Sequence, residues 1–179
     1  MEHIIACKIG HKLVERNIVE STYEEVYIYG LELIISFIST VLLITLIGFI
    51  ANQIISAIVF IIIYVLLRRF TGGYHANTHL KCKLCTLALY IAVLFFSNLI
   101  DTNLVAYLVL ACAGSIIIIV FAPIENPNKA IPTNKRKRLK ILSFIMFALI
   151  LTGGLLSIHV TRLLSNYIFY SLLTVIALT

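Results

Sequence analysis

The stretch that decides the fold is Tyr27–Ile50, YIYGLELIISFISTVLLITLIGFI. Its one charged residue is Glu32, near its start, and no further charge follows until Arg68. A helix that crosses a membrane needs about 20 predominantly apolar residues, and this stretch supplies them. Five more apolar runs follow: Ile54–Leu67, Leu84–Ile100, Leu104–Ala122, Ile141–Ile158 and Leu163–Leu178. The run Ile54–Leu67 has only 14 residues. To span, it must borrow from Asn52-Gln53 or from Arg68-Arg69-Phe70, with the arginine heads snorkelling to the interface. The last run is short as well. The reading is therefore six spans, with four spans and two re-entrant segments as the alternative.

The composition agrees. Of 179 residues, 61% are hydrophobic and 12% charged, against about 45–50% and about 25% in soluble domains. With a mean hydropathy of +1.05, a soluble globular domain and a disordered chain are both excluded. The expected class is an all-α polytopic transmembrane bundle, one membrane domain over residues 1–179 with no separate soluble domain. Segment 1–26 is charged and lacks a continuous apolar core, so it reads as mature chain rather than a cleavable signal peptide. In it, Ile5, Ile9 and Leu13 recur every four residues beside Lys8, Lys12 and Arg16. That pattern predicts an amphipathic helix lying at the inner membrane surface, or one packed on the bundle. Four cysteines, Cys7, Cys82, Cys85 and Cys112, do not form a disulfide framework, and Cys112 reads as a small hydrophobe inside a span.

The 14 basic residues exceed the 8 acids, for a net charge of +6. No polar stretch is long enough to build a nucleic-acid surface, so the excess reads as topogenic. With the N-terminus inside and the spans alternating, the inner side holds every basic residue except Arg162. By the positive-inside rule both termini are cytoplasmic, as are the loops 68–83 and 123–140. Membrane lipids are expected partners, with Lys135-Arg136-Lys137-Arg138 the densest patch for anionic headgroups. The span interiors lack ionisable groups, which disfavours an ion-coupled transporter.

The loop reads Arg68-Arg69-Phe70-Thr71-Gly72-Gly73-Tyr74-His75-Ala76-Asn77-Thr78-His79-Leu80-Lys81-Cys82-Lys83-Leu84-Cys85. One reading is a cysteine nucleophile with a histidine base, the thiolate favoured by the flanking Lys81 and Lys83. In one straight helix His75 and Cys82 would lie about 10 Å apart along the axis, too far for proton transfer. Either the segment is broken between them, or His79, three residues before Cys82, is the base. Gly72-Gly73 would break a helix and let backbone N–H groups approach a ligand. A second reading is a zinc clip on His75, His79, Cys82 and Cys85. A third is a loop with incidental His and Cys.

On Arg69, Gly72-Gly73, His75 and Cys82, together with the proline-bearing segment Ala122–Lys129 ahead of the basic run, the chain resembles the accessory gene regulator protein B (AgrB) family of bacterial quorum-sensing peptidases. The resemblance implies a thiol endopeptidase that needs no cofactor, with Cys82 as nucleophile and His75 as base. It implies a precursor peptide of the AgrD type as substrate, cut at its C-terminal tail. The N-terminal part would be held as an acyl-enzyme thioester and closed by the peptide's own cysteine into a thiolactone. Arg68, Arg69, Gly72 and Gly73 are the candidate substrate-binding residues. His79 and Cys85 are not part of the family pattern. A homodimer is compatible with spans of this kind. The alternative function is a non-enzymatic transporter or peptide exporter whose His/Cys loop is a gate.

Overall fold

The structure is a computed structural model and describes residues 2–72, 79–123 and 133–178. It is all-α, and among the described residues there is no strand. The helices are α1 (Glu2–Glu15), α2 (Glu24–Ile50), α3 (Ile54–Thr71), α4 (His79–Leu99), α5 (Leu104–Phe121), α6 (Thr133–Ser157) and α7 (Arg162–Ala177), with a single 3-10 turn at Ser21–Tyr23 before α2. Helices α2 to α6 are each long and apolar enough to cross a membrane, so the protein is a multi-pass membrane bundle. The expected short second span gains its length at its C-terminal end. Helix α3 runs through Arg68, Arg69 and Phe70 to Thr71. Its 18 residues reach about 27 Å.

Helix α7 has 16 residues, about 24 Å, and falls short of the other five. It is also the most enclosed. It packs against α3, α4, α5 and α6, and it buries Ser165, Asn166, Tyr167, Phe169, Tyr170, Ser171 and Leu172. A helix surrounded by protein need not match the hydrocarbon thickness, nor be apolar on every face. Its polar side chains are used where the short turns meet. The Asn166 amide nitrogen donates to the Ser97 carbonyl at 2.9 Å and to Asp101 at 3.1 Å. The Asn166 amide oxygen accepts from the Thr102 backbone N–H at 3.0 Å and the Thr102 hydroxyl at 2.8 Å. Close by, Gln53 accepts from Asn98 at 3.1 Å and from Tyr167 at 3.3 Å. The turns at 51–53, 100–103 and 158–161 thus share one end of the bundle. The ends of α3 and α5 and the starts of α4 and α6 share the other.

Helix α2 begins at Glu24, earlier than its apolar run, because Glu24 and Glu25 suit the positive end of a helix dipole. Helix α1 lies antiparallel on this extension. His3 pairs with Glu32 and His11 with Glu24. The packed face is the small one. Ala6 is fully buried, and Gly10 approaches Ile28 so closely that a Cβ would sit 2.5 Å from its Cγ1. Ile4, Ile5 and Ile9 are left exposed. The expected stripe at Ile5 and Ile9 therefore faces away from the protein, where headgroups and acyl chains would cover it.

Candidate functional site

The loop end of α3 is shaped by one residue. Gly72 has φ 73°, a left-handed conformation that only glycine adopts without strain. Its N–H still donates to the Arg68 carbonyl at 3.2 Å, and then the chain leaves the helix. The last turn of α3 is stiffened by Thr71, whose buried hydroxyl donates to the Leu67 carbonyl at 3.0 Å. Helix α3 therefore does not run on into the helix that carries the cysteines.

Helix α4 opens at His79 and carries Cys82 and Cys85 one turn apart. Both are free thiols and both are half-buried. The flanking lysines differ. Lys81 is exposed, whereas Lys83 is half-buried and its Nζ donates to the Ser39 hydroxyl of α2 at 2.6 Å. The arginines divide too. Arg69 is exposed, with its guanidinium carbon 6.0 Å from the Phe70 ring centre. Arg68 is half-buried and folds back along α3 onto Tyr64, its guanidinium carbon 5.1 Å from that ring's centre and Nη1 donating to the Tyr64 hydroxyl. The Tyr64 hydroxyl is 3.0 Å from the Thr86 hydroxyl on α4, and Thr86 donates to the Cys82 carbonyl at 3.0 Å. The structure thus brings Arg68 to the α4 turn that bears Cys82.

Residues Gly73, His75 and Asn77 lie outside the described residues, as do the segment 124–132 with Glu125 and the side chain of His79. Of the four candidate zinc ligands, the described side chains are those of Cys82 and Cys85. Among the described residues, no group of three His, Cys, Asp or Glu side chains converges as metal ligands would. Lys135, Arg136, Lys137 and Arg138 are exposed on the first turns of α6. Tyr64 and Thr86 escaped the sequence reading because each looks like an ordinary polar residue inside an apolar run. The available signal was the spacing of four that links Tyr64 to Arg68 and Cys82 to Thr86, which places each pair on one helix face.

Residues 6–179 match the sequence profile of Accessory gene regulator B. The chain belongs to the accessory gene regulator B family. The matched region takes in both arginines, both glycines, His75 and Cys82. Among curated relatives, the Accessory gene regulator protein B of Staphylococcus aureus is 32% identical over 93 residues, 52% of this chain and 50% of that protein. The protein of the same name from Staphylococcus epidermidis is 33% identical over 94 residues, 52% of this chain and 48% of that protein. An AgrB-like protein of Clostridium perfringens is 27% identical over 142 residues, covering 72% of this chain and 66% of that protein. The chain spans between about half and two thirds of the length of the curated relatives it matches. No solved structure matches it. Membership groups this multi-pass protein with those named for the accessory gene regulator system.

Proposed function

We propose that this protein is a membrane thiol endopeptidase of an accessory gene regulator quorum-sensing system. It processes a precursor peptide of the AgrD type. Cys82 is the nucleophile and His75 the base. The observation that carries the reading is the place of Cys82. It is a free, half-buried thiol in the first turn of α4, beside the arginine-bearing, glycine-terminated end of α3. A thiol there meets a peptide at the membrane surface while its neighbours limit water.

In the proposed reaction His75 takes the Cys82 proton and the thiolate attacks the scissile carbonyl. A C–S bond forms and the C–N bond breaks. The same proton goes to the departing amine of the C-terminal tail. The N-terminal fragment stays on Cys82 as a thioester, which keeps its acyl group activated. The fragment's own cysteine thiol then attacks, the thiolactone closes, and Cys82 recovers its proton. A thioester waiting for this second thiol must be shielded from water. Arg68 and Arg69 attract acidic side chains of the tail, and Gly72 and Gly73 let the peptide backbone approach closely. The basic residues at this end support an orientation with the site and both termini in the cytoplasm.

The test is to trap the thioester. A precursor whose ring cysteine is changed to alanine should be cut but not cyclised, leaving a hydroxylamine-labile adduct on Cys82 by mass spectrometry. Cys85→Ser should form the same adduct and Cys82→Ser none. An adduct on Cys85, or efficient cleavage by Cys82→Ser, overturns the assignment.

A further inference from the structure

We propose that Tyr64 and Thr86 are positioning residues that hold Arg68 in register with the nucleophile's own helical turn, so that a carboxylate bound by Arg68 is set at a defined distance from the Cys82 thiol. The proposal rests on the peptidase reading for its meaning, though not for its test.

The direction of the hydrogen bonds is what makes the link specific. A hydroxyl has one proton to give. Thr86 donates its proton to the Cys82 carbonyl at 3.0 Å. It can therefore only accept from Tyr64, at 3.0 Å. Tyr64, having donated to Thr86, can only accept, and Arg68 is the donor it accepts from. The order Arg68, Tyr64, Thr86, Cys82 carbonyl is thus the one arrangement that satisfies all three bonds, and each bond polarises the next. It joins two helices that no described backbone bond joins at this end. The chain is also rigid. Thr86 is 3% exposed. The Tyr64 ring stacks on Phe60, centre to centre 5.6 Å, and Phe60 in turn meets Tyr90 at 5.3 Å. The guanidinium carbon lies over the tyrosine ring, 5.1 Å from its centre, where cation–π attraction helps to hold it. A planar guanidinium held in place can meet a carboxylate at a defined position. By contrast Arg69 is exposed. Of the basic pair, Arg68 is the one that sets distance.

The experiment compares alkylation of Cys82 by iodoacetate and by iodoacetamide in the full-length protein in detergent, read at the Cys82 peptide by mass spectrometry. The two reagents share a reaction and differ by one carboxylate. The wild type should favour iodoacetate relative to free cysteine. Tyr64→Phe and Thr86→Val keep size and ring but remove a hydroxyl, and each should lower that preference roughly three- to tenfold. Arg68→Gln should lower it as far, and Thr86→Ser should keep it. The double variant Tyr64→Phe/Thr86→Val should lose no more than either single variant, because a chain cut once is already cut. Elution as a folded monodisperse species checks that each variant is intact, and Tyr64→Phe carries the test if Thr86→Val does not fold. An unchanged preference in folded Tyr64→Phe, or losses that add in the double variant, overturns the proposal. Precursor cleavage by the wild type is measured separately, so failure of the peptidase reading would show there and not in the reagent ratio.

Discussion

Gly153 and Gly154 are neighbours in α6, and replacing each by alanine should have opposite effects. A Cβ on Gly153 would meet nothing within 4 Å, while one on Gly154 would stand 2.6 Å from the Tyr107 hydroxyl oxygen, 2.8 Å from its Cε1 and 2.9 Å from Ile168 Cγ2. Carbon contacts relax at about 3.5 Å or more, so about 0.7 Å must be found at Tyr107 Cε1. Tyr107 cannot swing away cheaply. It is fully buried, packs edge-on against Phe169 at 5.2 Å, and donates to the Ser165 carbonyl at 2.8 Å. Overpacking of this kind costs about 1–3 kcal/mol, and a strained interhelical hydrogen bond adds about 0.6 kcal/mol. Less a helix-propensity gain of up to about 1 kcal/mol, Gly154→Ala should therefore lose about 1–3 kcal/mol. Gly153→Ala should be neutral or gain up to about 1 kcal/mol from helix propensity. The gap of about 3 kcal/mol is roughly a hundredfold in the folding equilibrium. Equilibrium unfolding of both variants in mixed detergent–SDS micelles, followed by circular dichroism, measures it. Equal stabilities, or Gly154→Ala more stable than the wild type, would refute the packing of α6 against α5 and α7 given above.

The base of the proposed peptidase is separable by substitution: His75→Ala should abolish precursor cleavage by about 10²-fold or more, and His79→Ala should retain most of it, with cleavage rates and protein levels measured together. The reverse result would make His79 the base, and loss of folded protein in both, with zinc lost on purification, would favour the metal clip. Single cysteines placed at 101–103 and 159–162 in an otherwise cysteine-free chain should react with an impermeant maleimide on intact cells, and cysteines at 72–80 should not. Labelling at 72–80 from outside would reverse the proposed orientation.

The helical class and its spans were legible because a membrane imposes a simple condition. Backbone polar groups must be satisfied within each segment, and about 20 apolar residues must follow one another. Tyr27–Ile50, Leu84–Ile100, Leu104–Ala122 and Ile141–Ile158 come close to that condition on their own, with no knowledge of neighbours, while Ile54–Leu67 and Leu163–Leu178 fall short of it. The pairing of His75 with Cys82 is proposed from the family pattern alone, whereas the helix break expected at Gly72 is seen in the positive φ at the end of α3. Hydropathy could not tell that the weakest run, α7, is the one the others surround. Asn166 looks like a defect in a span until Ser97, Asp101 and Thr102 are seen to bond with it.

What the sequence alone determined is therefore what local chemistry determines: an all-α membrane chain, where its helices lie, and which residues carry reactive groups. Tertiary structure decided which helix is central, which face of α1 packs, and which of Arg68 and Arg69 is tied to the cysteine. Each of these depends on the distance between groups far apart in the chain. Periodicity gives two neighbouring glycines or two neighbouring arginines the same meaning. A rotation of about 100° per residue around the helix axis puts one of each pair against protein and leaves the other outside.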